Sequence, residues 1–83
     1  LNWSFGMFHN DVEVAVFQAN QAIRTGSSQL QNRFCDTIEG SEYPNLLLAY
    51  VSRRLGRRRA LAVGIDRPTI EKALRMFREG ELV

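Results

Sequence analysis

Five arginines fall within residues 53 to 59, in the stretch "SRRLGRRR", and three more cations, Arg67, Lys72 and Arg75, follow in "GIDRPTIEKALRMF". A guanidinium is always charged and offers a planar fork of donors that matches a phosphate or a guanine edge, which the ammonium point charge of lysine does not. Ten of the eleven basic residues are arginine. Arg57, Arg58 and Arg59 are therefore read as a phosphate-holding patch, each contact adding affinity and salt dependence without reading sequence. Arg67, Lys72 and Arg75, with Thr69 between them, carry the basic character on into the last segment. The competing reading is a solvated helix end, where cations offset the macrodipole. It is stronger for Arg53 and Arg54 alone than for the whole run.

Catalytic chemistry finds little support. His9 is the only histidine and Cys35 the only cysteine, so no internal disulfide and no cysteine-based zinc cluster can form. His9 beside Asp11 is read as solvated or structural, and Asp36 with Glu39 as an ordinary exposed pair three residues apart. No nucleophile, base and orienting group stand together, so neither enzyme activity, a metal nor a cofactor is expected. A reducing, intracellular compartment, cytoplasmic or nuclear, is expected, as is the absence of a membrane span, because no apolar run approaches 18 residues. "LNWSFGMFHN" lacks the basic leader of a signal peptide.

The charge is unevenly divided. Residues 1 to 52 carry two arginines against five carboxylates, whereas residues 53 to 83 carry nine cations against four. Eighty-three residues, 45% of them hydrophobic, suffice for one domain with one modest core.

Helical spacing positions the cations. Asn10 with Glu13 has the spacing of a capping box, and Val12, Ala15, Val16, Ala19, Ala22 and Ile23 then share one face up to Gly26. Ser28 with Gln31 repeats the device ahead of Leu30, Phe34 and Ile38, with Cys35 read as a small core residue. Pro44 opens a third helix carrying Leu47, Leu48, Val51 and Leu55, which Gly56 ends. A short helix over 57–63 and a last one after Asp66 complete the chain. In that last helix Ile70, Ala73, Leu74 and Phe77 face the core. Pro68, Lys72 and Arg75 point away from it, with Thr69 and Met76 on one flank and Glu71 on the other. The expected fold is mainly α, a single domain that is a small bundle of four or five helices. It divides into an aromatic segment 1–9 (Trp3, Phe5 and Phe8 packing on the bundle), a three-helix part 10–56 and a helix-turn-helix-like part 57–83.

The end of the chain resembles the helix-turn-helix of winged-helix bacterial regulators of the GntR-like pattern. The matching residues are Ala60, Val63, Gly64, Ile65, Asp66, Arg67, Thr69, Ile70, Ala73, Leu74 and the closing "EGELV". The resemblance covers residues 59–83 only, and Asp66 stands where that pattern more often has serine. It implies a DNA-binding domain of a transcriptional regulator or replication-type protein. The second helix would enter the major groove, with Arg67, Thr69 and Lys72 on bases or phosphates of double-stranded DNA. The alternative is a helical protein-interaction or oligomerisation module whose basic face meets an acidic partner, or a homodimer.

Overall fold

The computed structural model describes residues 2–78, with side chains from residue 9 to residue 77. The expected packing of Trp3, Phe5 and Phe8 and the "EGELV" ending lie outside the described residues and side chains. Within them the chain forms four helices and no strand: α1 (Asn2–Thr25), α2 (Ser28–Glu39), α3 (Pro44–Ala62) and α4 (Arg67–Arg78). The mainly helical bundle is the one expected, with four helices: the expected third helix and the short one over 57–63 are joined through a break into α3.

Three helix ends differ from the sequence reading, each for a local reason. The first helix begins at Asn2, so Asn10 is an interior residue and forms no cap. Nothing in the preceding eight residues stops a helix except the single Gly6, and Glu13 turns its carboxylate to Arg54 on α3 instead of to Asn10. The cap of α2 is Ser27, not Ser28: its backbone is extended and its hydroxyl accepts from the Leu30 N–H at 3.2 Å. The third difference is at Gly56, where φ 83° and ψ 166° interrupt α3. Only glycine occupies that region without strain, so the residue bends α3 into a long rod, 44–55, and a short one, 57–62.

Packing follows the sequence stripes. Val12, Ala15, Ala19 and Ala22 line the inner face of α1, and their small size lets α2 and α3 approach closely. Phe34 and Ile38 enter from α2, Leu47, Val51, Leu55, Ala60 and Val63 from α3 and its end, Ile65 from the connection and Ile70 from α4. Cys35 departs from its expected core position: it is exposed, because one helical step of 100° carries it off the Phe34–Ile38 line. Desolvation, with smaller contributions from Glu39 and Asp36, raises the pKa of its thiol and keeps it a poor nucleophile. α4 packs on α3 and on neither α1 nor α2. Among the described residues, no helix is long and apolar enough to cross a membrane.

One core residue is mismatched to its surroundings. Ser52 is fully buried in α3 and its hydroxyl oxygen has no hydrogen-bond partner. A buried hydroxyl left unpaired costs on the order of 1–3 kcal/mol. Ser52→Ala removes that penalty and suits a helix better, so thermal unfolding should shift upward by about 4–8 °C, the equivalent of ~1 kcal/mol in a domain of this size. An unchanged or lower midpoint would show that the hydroxyl is satisfied in solution.

Candidate nucleic-acid interface

The cations are set by the connection between α3 and α4. The Val63 N–H donates to the Arg59 carbonyl, the Gly64 N–H to that of Leu61 and the Ile65 N–H to that of Ala60, each at 3.0 Å. The last two bonds are the paired closure of a Schellman motif, with Gly64 at φ 98° in the position that needs a positive φ. Ile65 and Ala60, which such a motif brings together, are both buried in the core. The chain therefore leaves α3 in a fixed direction.

A second tether acts from outside this pair of helices. The Gln31 side-chain amide on α2 donates to the Val63 carbonyl at 3.1 Å. It lies so near the turn that a Cβ at position 64 would stand 2.5 Å from its nitrogen. Gln31 has no signature in the sequence beyond its spacing from Ser28, because its partner is 32 residues away.

Asp66 begins α4. Its carbonyl accepts from the Ile70 N–H at 3.1 Å, and its carboxylate accepts from the Thr69 hydroxyl at 2.6 Å. A carboxylate at a helix N-terminus is favoured by the dipole, which gives the acid a local reason to replace serine here. The same bond commits the Thr69 hydroxyl proton to Asp66. Thr69 is half-buried, at the edge of a cleft of about 380 Å³ between Leu46, Leu48 and Ala49 of α3 and Lys72 and Met76 of α4.

The seven candidate residues do not form one continuous patch. Arg67, Lys72 and Arg75 are exposed on α4, and Arg58 is exposed on the short rod of α3. None of the four has an ion-pair or hydrogen-bond partner among the described residues. Arg57 instead grips Glu71 of α4 with two donors, Nε at 2.7 Å and a terminal nitrogen at 3.0 Å. That hydrogen bond, with the adjoining negative charge, raises the Arg57 pKa further above its already high ordinary value. Arg59 points to α1, where it donates to the Asn20 side-chain oxygen at 3.3 Å. Successive residues on a helix turn by 100°, so three adjacent arginines cannot share one face.

The remaining two of the five clustered arginines are also engaged elsewhere. Arg54 pairs with Glu13 on α1, which lowers the Glu13 pKa first through the hydrogen bond and then through the charge. Arg53 lies 4.5 Å above the Phe77 ring, which itself meets Tyr50 edge-on at 4.9 Å. Glu71 and Phe77, the residues that absorb these arginines, lie in the same last helix as Lys72 and Arg75. Spacing alone reveals neither pairing, since both cross between helices.

Comparison with known proteins gives no match: no protein-family model, no curated protein and no solved structure is similar to this chain. The helix-turn-helix resemblance thus rests on the residues of the segment itself.

The turn supplies a direct test. Gly64→Ala should lose about 2 kcal/mol, from left-handed strain and the displaced Gln31 amide. Gln31→Ala should lose ~1 kcal/mol through the unpaired Val63 carbonyl. Because both changes break one contact, urea midpoints of the double variant should show a loss well below the sum. Strict additivity would mean that Gln31 does not hold the turn.

Proposed function

We propose that the chain is a DNA-binding domain that lays α4 in the major groove of a duplex. The observation that carries the reading is the outward face of α4. Arg67, Lys72 and Arg75 are exposed and unpaired there, on a helix supported from one side by α3 and aimed by a closed turn. A helix held by its inner face alone can enter a groove about 12 Å wide without displacing another element.

The geometry revises the expected roles. Arg67 at the start of α4, with Lys72 and Arg75 one and two turns on, is the set that meets base edges and flanking phosphates. Arg58 is the phosphate contact from the preceding rod. Arg57 is neutralised by Glu71 and contributes little while that pair is closed. Arg59 faces α1 and lies outside the interface. Thr69 acts as part of the α4 cap, its proton bound to Asp66. Exposed apolar residues on α1 favour a protein contact in addition to DNA, on a face that α4 does not use.

Fluorescence anisotropy with a labelled duplex over a salt series tests this reading. The logarithm of affinity should fall linearly with the logarithm of salt, with a slope of about −0.9 per phosphate contact. Arg58→Ala should reduce the slope by about one unit and Arg59→Ala should leave it unchanged. Glu71→Gln should release Arg57, strengthen low-salt binding and steepen the slope by about one unit. Absence of binding at low salt, or equal effects of Arg58→Ala and Arg59→Ala, would overturn the proposal.

A further inference from the structure

The core does not use all of the apolar surface that α3 and α4 turn towards each other. Ala49 of α3 and Ala73 of α4 are buried, 5% and 3% exposed, yet among the described residues both stand outside the core cluster that runs from Val12 to Ile70. Leu46 and Met76, half-buried beside them, do not pack on that cluster either. These four, with Leu48, line the cleft of about 380 Å³ between the two helices. The two alanines keep it open, since larger side chains at 49 and 73 would fill the space between the helices.

The polar groups at the mouth of the cleft have one sign. Thr69, Lys72, Ala73 and Met76 share a flank of α4, being three or four residues apart. Among the described residues that line the cleft, Lys72 alone is charged, and it is exposed and has no ion-pair partner. The Thr69 proton is held by Asp66, so the donors presented here are the Lys72 ammonium and, from α3, the exposed Asn45 amide. An adjoining hollow of about 270 Å³ shares Asn45 and Leu48 with the cleft but is lined beyond them by Glu39 and Asp66. Opposite charges thus lie on the two sides of Asn45, and an anion is drawn to one hollow and repelled by the other.

We infer that the α3–α4 cleft is a binding site for a monomeric single-chain carboxylate, of the class of a medium-length fatty acid. Its chain lies over Ala49 and Ala73 between Leu46 and Met76, and its carboxylate meets Lys72 and Asn45. The volume is that of a small-ligand pocket, and an apolar floor with a few polar groups at the mouth is the arrangement that fixes an amphiphile by its head. From Thr69 to Met76 is seven positions, about 10 Å along the helix, which sets the length of chain that can be covered. The site makes no use of the DNA reading. One consequence does rest on that reading: a carboxylate on Lys72 neutralises a cation assigned to the duplex, so the ligand acts as an effector that weakens DNA binding.

A 15N–1H NMR titration of the whole chain with decanoate, kept below its micelle-forming concentration and without DNA, tests the site. The amides of Leu46, Ala49, Lys72 and Ala73 should shift together and saturate, while those of α1 from Val12 to Ala22 stay in place. The dissociation constant should be on the order of 0.1–1 mM, in keeping with so small a ligand. From hexanoate through octanoate to decanoate the affinity should rise about two- to fourfold per methylene, until the cleft is filled. Lys72→Gln should weaken decanoate binding about threefold to fivefold and, the side chain being exposed, leave the circular dichroism spectrum unchanged. Ala73→Leu should abolish binding by filling the cleft, and Lys72→Gln carries the test should that buried change disturb the fold. Absence of saturable shifts overturns the inference. So do shifts centred on Phe34 to Glu39, in the acidic hollow, or a Lys72→Gln variant that binds decanoate as tightly. Because DNA is absent, failure here and failure of DNA binding are separate results. Decanoate that fills the cleft yet leaves the affinity for a duplex unchanged would overturn the effector role.

Discussion

The direction of α4 depends on the four residues that precede it. Val63 and Gly64 end α3 with their N–H groups turned back onto Arg59 and Leu61, and Ile65 turns back onto Ala60 while its side chain enters the core. That closure needs a positive φ at residue 64, which favours glycine, and a Cβ there would also displace the Gln31 amide from its bond to the Val63 carbonyl. Because α4 touches no helix but α3, its orientation has few other determinants. The Arg57–Glu71 pair and the Arg53–Phe77 stack are the side-chain links that supplement the apolar contact. Both are exposed or partly so, and neither is expected to carry stability comparable to the buried Ile70 and Ala73.

The arginine cluster shows how a dense run of like charge is accommodated in a small domain. Five guanidiniums within seven residues would repel one another if they shared a face. The helix spreads them, and the break at Gly56 re-aims the last three. Two go to α4 and two to α1, where a carboxylate, an amide or a ring receives them. The acidic residues of the first 52 positions are in part their counterparts: Glu13, which pairs with Arg54, is one. Net charge by segment therefore overstates the field available to a partner, and the cations that remain unpaired are fewer and more sharply placed.

Much of the fold is legible in the sequence. Small and branched residues at three- and four-residue steps marked the inner face of α1, Pro44 the start of α3, and Gly64 the turn before α4. What could not be read depended on distant partners. Asn10 and Glu13 have the spacing of a cap, yet Glu13 is stabilised by Arg54, 41 residues on, and the helix passes through both. Cys35 directly follows the core residue Phe34 in sequence and lies one helical step off it in space. The candidate interface was half legible: the outward positions of Arg67, Lys72 and Arg75 follow from helical period. The loss of Arg57 to Glu71 and of Arg59 to Asn20 depends on how α3 bends and on what packs beside it. Asp66, the least expected member of the segment, is accounted for by its place at the positive end of the helix dipole and by its bond to Thr69.

The most direct measurement of the central claim is a two-dimensional 15N–1H NMR titration of the folded chain with a short DNA duplex. The account predicts that the amides of residues 66, 67 and 69–75 and of Arg58 shift together and saturate, while those of α2, from Asp36 to Glu39, stay in place. Shifts confined to α1 and α2, or none at low salt, would contradict a DNA-binding role for α4.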